Sequence, residues 1–264
     1  LEPRAGEDIL RTEDILDLIK KEGQEVALIM IGGLNYYTGQ AYDMEKITQV
    51  GHDMGCMVGF DLAHGAGNLN LALHDWDVDF AVWCTYKYMN SGPGGIAGCF
   101  VNERHHKRKD LARFAGWWGH DKATRFMMDD TFVPIQGAEG WQMSNETVLS
   151  MAALKASLEI FEEVGMKAIV RKSRLLTRYL EFLIEELKSD RIQIITPKQT
   201  DARGAQLSIR VIQSDKSLFR AISDKGVIAD WREPDVIRIA PTPLYNNFSD
   251  VFNFVQILKE TLGI

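Results

Sequence analysis

The 264-residue sequence predicts an α/β fold with a mainly parallel sheet, followed by a small α+β domain at the C-terminal end. Helix-like and strand-like segments alternate in the first half of the chain, with four predicted strands separated by crossovers. The run ending at Ile31 is continuously apolar, which is typical of a parallel strand covered on both faces. After Asn145, two long amphipathic segments precede several short strands. Ligands gather at the carboxyl ends of strands in such sheets, and Asp61 follows one of them.

The elements of the first domain follow from local patterns. Thr12 is expected to cap a helix that Gly23 ends, because hydroxyl side chains favour the first position and glycine the last. Further expected elements are strands at 26–31, 57–61, 80–84 and 96–101, with a helix at 44–54.

The second part contains two long helices, expected at 147–164 and 167–187. Shorter elements complete it: strands at 192–195, 205–211, 227–230 and 236–239, and helices at 216–223 and 249–262. We expect a partial large domain over residues 1–170 and a small domain over 171–264, with the boundary inside the second long helix.

Composition excludes several classes of protein. A net charge of -7 argues against a general binder of nucleic acids or anionic membranes. Apolar runs stay short of the ~20 residues that cross a bilayer, and the N-terminal segment lacks a secretory pattern, so we expect a soluble protein. Cys56, Cys84 and Cys99 lack CxxC spacing and lie in or beside predicted strands, which predicts reduced core thiols and a cytoplasmic location. The basic run 104–109 has acidic neighbours and predicts a solvated face rather than a metal or nucleic-acid site.

Lys87 is the most informative residue of the sequence. It lies between two tyrosines, after a strand-like run and before a glycine-rich turn, and an Asp-x-x-His pair, Asp61 and His64, precedes it. Burial would make the lysine amine a nucleophile for an aldehyde, and a carboxylate can keep a pyridine nitrogen protonated. Pyridoxal 5'-phosphate (PLP) chemistry requires both groups, so these residues predict a PLP-dependent enzyme.

Each of these residues also has an ordinary structural interpretation. Asp61 could cap the turn that follows its strand, His64 could be a hydrogen-bonded structural histidine, and Lys87 could lie on the surface. The phenol of Tyr86 could donate to a phosphate oxygen or transfer a proton. Their combination after successive strands favours the cofactor site, although a glycine-rich turn alone is a weak indication.

Six segments together resemble the kynureninase family of the eukaryotic type: 37–40, 59–64, 73–76, 84–88, 116–120 and 238–246. The resemblance covers nearly the whole chain. It implies the fold of the fold-type I PLP-dependent transferases, as in aspartate aminotransferase, and a homodimer with shared active sites. The implied reaction is hydrolysis of L-kynurenine or 3-hydroxy-L-kynurenine to an anthranilate and L-alanine, a step of tryptophan catabolism and NAD biosynthesis.

The resemblance implies roles for the residues that surround the cofactor. Lys87 would bond covalently to PLP, Asp61 would pair with the pyridine nitrogen, and His64 would lie beside the ring. Tyr86 resembles a phosphate-binding tyrosine that also takes part in proton transfer. Gly32 stands where relatives tend to carry a serine, so its backbone N–H is left as the phosphate contact.

Other residues are implied to contact substrate or to reach the site of a second copy. Trp117 and Asn145 resemble phosphate or substrate contacts from the dimer partner, and Ser144 with Asn145 would suit a ring bearing an extra hydroxyl. Arg238 resembles the arginine that grips the substrate α-carboxylate. Structural alternatives stay open: Trp117 as a core or interface aromatic, Asn145 as a helix cap, and Arg238 as the partner of Asp230 or Glu233.

Three expectations concern the extent of the chain and the alternatives to the kynureninase function. It begins at Leu1 without a methionine, and few residues precede Asp61 to supply a phosphate-binding loop. We therefore expect a kynureninase that lacks its N-terminal portion and is inactive as an isolated fragment. A cysteine desulfurase-like enzyme of related fold would need a reactive cysteine on a mobile loop. An inactive PLP-fold fragment that serves only for association is the third alternative.

Overall fold

The computed structural model describes residues 1–128 and 130–264. It contains two four-stranded sheets, and each sheet has its own helices and its own buried cluster of apolar side chains. Within the described ranges, no helix combines the length and the apolar character needed to cross a membrane.

The first sheet is mainly parallel and has the strand order β1-β2-β3-β4. Its strands are β1 (Leu28–Gly32), β2 (Met57–Asp61), β3 (Phe80–Cys84) and β4 (Ala97–Val101). β1, β2 and β3 run parallel, whereas β4 is antiparallel to β3. The expectation of crossovers between all four strands is therefore wrong for β4, because a glycine-rich turn rather than a crossover helix joins it to β3.

Helices α1 (Thr12–Glu22) and α2 (Met44–Asp53) pack against this sheet. Ile15 of α1 and Ile47 of α2 meet Phe60 of β2 in a core from which solvent is excluded. Thr12 is the first helical residue and not the cap, since Arg11 holds the extended conformation before it. The side chain of Asp43 does cap α2, where it accepts a hydrogen bond from the Lys46 N–H at 3.1 Å.

One face of β1 is uncovered in the described chain. Leu28 and Met30 are about half exposed, while Ile29 and Ile31 are packed against the core. The prediction of a strand buried on both faces is therefore wrong for β1, because α1 and α2 lie on the face that carries Ile29 and Ile31.

The second sheet is antiparallel and has the order β5-β6-β8-β7. Its strands are β5 (Ile192–Ile194), β6 (Leu207–Val211), β7 (Asp230–Arg232) and β8 (Val236–Ile239). The accompanying helices are α3 (Val148–Val164), α4 (Met166–Glu186), α5 (Lys216–Asp224) and α6 (Phe248–Leu262). Leu176, Ile209 and Leu258 pack at its centre. The predicted boundary at residue 170 falls inside α4 and stays a prediction.

The position of β7 differs from the expectation of a strand at 227–230. Backbone pairing with β8 occurs at Asp230, Trp231 and Arg232, while Ile228 is fully exposed. Trp231 is the buried apolar residue that holds this strand against the core. The shift places Arg232 on a strand of the small sheet.

The buried carboxylate of Asp79 binds side chains of the basic run 104–109 next to the first sheet. The side chain of Asp79 is only 4% exposed, and its oxygens accept hydrogen bonds from the Val58 N–H at 2.6 Å and from Arg104 Nη2 at 2.5 Å. Ring nitrogens of His52 and His105 lie at 2.9 and 2.6 Å. Burial alone would raise the pKa of Asp79, but these hydrogen bonds lower it to about 2. The prediction of a solvated face is wrong for Arg104 and His105, because Asp79 binds both.

We expect Asp79→Asn to lower the free energy of unfolding by about 3 kcal/mol, because it removes the buried negative charge that accepts hydrogen bonds from the Val58 N–H and from Arg104. Urea unfolding of the variant and of the exposed Asp75→Asn control measures the difference. The stabilisation by Asp79 should be complete above pH 3.8 and decline as the pH falls towards 2, since the folded-state pKa is the lower one. Equal stability of the two variants would contradict this account.

Candidate functional site

The carboxyl ends of the parallel strands form one side of an open cavity of about 560 Å³. Gly32 at the end of β1 pairs in register with Asp61 at the end of β2. The turn after β3 then brings Lys87 to the same cavity, and His64 follows β2 by one turn. Four residues predicted from the sequence, Gly32, Asp61, His64 and Lys87, therefore line a single cavity.

Lys87 and His64 are in direct contact. The Lys87 Nζ lies 3.2 Å from the His64 Nε2. Burial, followed by the positive charges of Lys87 and Arg238, lowers the pKa of His64 from 6.5 to about 4. The imidazole is therefore neutral at neutral pH and can accept a hydrogen bond from a lysine ammonium. Its Nδ1 is buried and has no hydrogen-bond partner among the described residues.

Asp61 has a structural role that leaves its carboxylate accessible. One oxygen, Oδ1, accepts a hydrogen bond from the Ala63 N–H at 2.8 Å, as the turn-capping interpretation expects. The residue is nevertheless exposed at the end of β2 and lines the cavity. A carboxylate accepts several hydrogen bonds at once, so the turn and a ligand are compatible partners.

Tyr86 lies next to this cavity and is half exposed. The centroid of its ring is 5.9 Å from the Lys87 Nζ. Hydrogen bonding to Cys84 is the first cause that raises the pKa of the Tyr86 phenol. The phenol is thus protonated at neutral pH and available as a donor.

Arg238 contacts the wall of the cavity without lining it. Its Nη1 donates to the backbone oxygen of Tyr36 at 2.6 Å, and its Nη2 donates to the carboxylate of Asp230. Tyr36 is itself a lining residue. The structural alternative, a pair between Arg238 and Asp230, is therefore present, and burial lowers the pKa of the guanidinium.

The three remaining predicted residues lie outside this cavity. Trp117 is half exposed and packs edge to face on Trp118, with ring centroids 5.3 Å apart. Ser144 and Asn145 are exposed neighbours, and the Ser144 Oγ donates to the Asn145 Oδ1 at 3.3 Å. The alternative of Asn145 as a helix cap is wrong, because Thr147 occupies that position at α3.

Tyr36 and Arg232 also line the cavity, and the sequence-based set contained neither of them. The Arg232 guanidinium carbon lies 5.6 Å from the centroid of the Tyr36 ring. Tyr36 immediately precedes the segment 37–40, which supplied the only sequence indication of its position. Arg232 had no such indication, because the predicted strand ended at residue 230.

The cysteines differ in burial. Cys56 is buried, Cys84 is half-buried and Cys99 is exposed. The prediction of core thiols is therefore wrong for Cys99, because it pairs with Val82 on a face of the sheet where both side chains are exposed. Cys99 lies within that strand and not on a loop, and no cysteine is among the described residues that line the cavity with Lys87. This arrangement gives no support to the desulfurase-like alternative, which requires a reactive cysteine on a mobile loop.

Solved structures with the same fold identify the architecture. A cysteine desulfurase from Thermococcus onnurineus superposes with a TM-score of 0.77 at 17% identity, covering 98% of this chain and 65% of the other. A ureidoglycine-glyoxylate aminotransferase from Bacillus subtilis gives 0.74 at 16% identity, with coverages of 99% and 66%. The predicted fold class, an α/β unit with a mainly parallel sheet followed by a small α+β unit, is confirmed.

Sequence relatives are far closer. The chain is 57% identical to a kynureninase of Koribacter versatilis over 96% of its length, and 56% identical to one of Myxococcus xanthus over 98%. Identity to the kynureninase of Rattus norvegicus is 48% over 99% of the chain. The chain spans about three fifths of the length of these curated relatives, with 60%, 61% and 58% covered.

The C-terminal part matches a family by itself. Residues 169–258 fit the sequence model of the kynureninase C-terminal domain. This match includes most of α4, both arginines near Tyr36 and most of α6. With the identity that extends over nearly the whole chain, it shows that this chain is similar to kynureninases along nearly its whole length.

Proposed function

We propose that this chain carries the catalytic lysine of a PLP-dependent kynureninase. The reaction would hydrolyse 3-hydroxy-L-kynurenine or L-kynurenine to 3-hydroxyanthranilate or anthranilate and L-alanine. The contact between Lys87 and a neutral His64, with Asp61 in the same cavity, is the observation that carries the proposal. The kynureninases to which the chain is similar support it. The expectation that this 264-residue chain is inactive by itself stays a prediction.

The chemistry of the lining fits PLP. Lys87 offers an amine for the cofactor aldehyde, and Asp61 offers an exposed carboxylate for the pyridine nitrogen. The buried and unpartnered Nδ1 of His64 is a polar atom that a ligand can satisfy. For the phosphate we propose the backbone N–H of Gly32 and the phenol of Tyr86 as donors.

Each residue then has a defined task in the reaction. Bound PLP would supply a protonated ring that accepts the electrons of the substrate Cα–H bond. Asp61 would hold the proton on the ring nitrogen, and the Lys87 Nζ would remove the α proton. Water adds to the γ-carbonyl and the Cβ–Cγ bond breaks, and Lys87 with Tyr86 would transfer protons in these later steps. Neutral His64 would orient the lysine amine without competing for the carboxylate of Asp61.

The proposed partner is a second copy of the chain, in a cytoplasmic homodimer. Trp117 and Asn145 would contact the phosphate or the substrate of the other copy. Their exposure and their position outside the cavity of Lys87 support this role. Phe126 is also exposed, its ring centroid lies 5.8 Å from that of Trp117, and it adds apolar surface to the same region. Arg238 is proposed to act on the substrate carboxylate.

Lys87→Ala should abolish covalent attachment of PLP while the fold persists. Borohydride reduction of the PLP-treated chain, followed by peptide mapping, should place the pyridoxyl label on Lys87 in the wild type and eliminate it in the variant. Lys155→Ala removes an exposed lysine of α3 and should leave the label in place. A label on any other lysine would disprove the assignment of Lys87.

His64 should stay neutral until the pH approaches 4, and NMR titration of its ring protons measures this directly. Between pH 6.5 and 4 the unfolded chain binds a proton here that the folded chain does not, so acidification through this window should destabilise the fold. His74 is the internal control, because hydrogen bonds first to Asp75 and then to Glu103 raise its pKa. A His64 titration midpoint near 6.5 would contradict the buried position of this ring beside Lys87 and Arg238.

We expect a preference for 3-hydroxy-L-kynurenine over L-kynurenine if Ser144 and Asn145 contact the ring hydroxyl. One net hydrogen bond corresponds to a preference of roughly tenfold. Equilibrium binding of both compounds to the PLP-loaded Lys87→Ala variant, which cannot consume them, measures it, and adding the pair Ser144→Ala, Asn145→Ala should remove it. An unchanged ratio in the double variant would refute the role of these two residues.

A further inference from the structure

We propose that Asn68 is a positioning residue that connects the second sheet to the contact between His64 and Lys87. The inference deepens the proposed function and rests on it, because it takes Lys87 as the lysine that binds PLP. Asn68 is not among the described residues that line the cavity, so it acts through His64 and not on a ligand.

The Asn68 side chain bridges two segments that are far apart in the chain. Its Nδ2 donates a hydrogen bond to the backbone oxygen of His64 at 3.0 Å, and its Oδ1 accepts one from the Ala205 N–H at 2.9 Å. Asn68 is 4% exposed, so water hardly competes for these bonds. A primary amide offers a donor and an acceptor together, which a carboxylate does not. One side chain therefore fixes the His64 carbonyl relative to the segment that leads into β6.

Gly204 makes room for this bridge. A Cβ added at this position would lie 2.3 Å from the Asn68 Nδ2 and 2.8 Å from the Asn68 Cγ. Both distances are shorter than van der Waals contact, so the amide reaches Ala205 only because Gly204 has no side chain. A substitution at Gly204 can therefore displace Asn68 without removing any of its polar atoms.

Residues 64–68 pack on their other side against the segment that carries Lys87. Gly67 has a φ of 76°, and a Cβ there would lie 2.9 Å from the backbone oxygen of Tyr88. The His64 ring also meets the Tyr88 ring edge to face, with centroids 6.2 Å apart. This turn is thus held between the second sheet and the lysine segment.

The His64 ring depends on the turn for its position. Its Nε2 lies 3.2 Å from the Lys87 Nζ, whereas its Nδ1 is buried and has no hydrogen-bond partner in the described part of the chain. The backbone to which the ring is attached therefore decides whether the ring reaches Lys87, and Asn68 holds the carbonyl of that backbone. A displacement of Ala205 would be transmitted to Lys87 through one side chain and one ring.

The residue after Ala205 links the same segment to another part of the cavity wall. Gln206 is buried, and its Nε2 donates to the backbone oxygen of Tyr36 at 2.9 Å. Tyr36 lines the cavity together with Lys87. Two consecutive residues of the small domain therefore hold two parts of the wall.

A purely structural role of Asn68 makes a different prediction. Loss of the buried amide leaves the Ala205 N–H and the His64 oxygen without their partner, which lowers the stability of the fold. A loss of stability alone leaves the His64 ring unchanged in the molecules that remain folded. The positioning role instead predicts a change at the ring itself.

The test measures His64 by NMR in the wild type, Asn68→Ala and Gly204→Ala. Asn68→Ala removes the bridge, and Gly204→Ala pushes the intact amide aside. Asn70→Ala, which replaces an exposed asparagine two residues away, is the matched control. Nitrogen shifts of the ring at neutral pH report its tautomer, a pH titration reports its midpoint, and circular dichroism reports whether each variant is folded.

We expect one fixed tautomer of His64 in the wild type, because Nε2 contacts Lys87, and a titration midpoint of about 4. Asn68→Ala and Gly204→Ala should both show a mixture of tautomers. Their midpoint should rise by about one pH unit or more, since a displaced ring gains solvent and moves away from the charge of Lys87. Asn70→Ala should match the wild type.

A folded Asn68→Ala variant with the wild-type tautomer and midpoint would overturn the inference, and so would an equal change in Asn70→Ala. Should Asn68→Ala not fold, Gly204→Ala decides, and an unchanged ring in that variant overturns the inference as well. Neither NMR measurement uses PLP. Absence of a pyridoxyl label on Lys87 in the wild type would instead disprove the proposed function, so the two failures are distinguishable.

Discussion

Parallel pairing of β1, β2 and β3 is the constraint on which the candidate site depends. The register that places Gly32 opposite Asp61 and Asp61 opposite Val82 brings the carboxyl ends of three strands to one edge. Lys87 reaches that edge because β3 extends two residues beyond Val82 before its turn. A slip of one residue would reverse the faces of the side chains and separate Asp61 from Lys87.

Electrostatics at this edge follow from burial as well as from charge. His64 is surrounded by Lys87 and the arginines of the second sheet, and its burial disfavours a further positive charge. The histidine therefore remains neutral and contacts the lysine by a hydrogen bond rather than as a cation. The buried Asp79 shows the opposite result on the same sheet, because its hydrogen-bond donors outweigh the cost of burial. At neutral pH His64, which follows β2, is therefore neutral, and Asp79, which precedes β3, is ionised.

The second sheet contributes charged side chains to the wall of the cavity. Asp230 and Arg238 lie opposite each other in the pairing of β7 with β8, and Arg232 lies two residues further along β7. Alternation along a strand places Asp230 and Arg232 on the same face, which lets both arginines share one carboxylate. Tyr36, from the loop after β1, meets these residues from the other sheet. The cavity wall is therefore assembled from segments far apart in the chain.

The sequence alone determined the fold class, the family, β2 and β3, and the group of Gly32, Asp61, His64 and Lys87, because apolar runs and neighbouring polar residues are local features. It also indicated Arg238 through the segment 238–246. The tertiary structure decided the place of β7, the hydrogen bonds of Arg104 and His105 to Asp79, and the approach of Arg232 to Tyr36. These depend on backbone pairing and on burial between distant segments, which no local pattern encodes. The physical reason is that the position of a charged side chain depends on the group that it contacts. Arg104 and His105 contact Asp79, and Arg232 contacts Tyr36, and each of these partners lies on another segment of the chain.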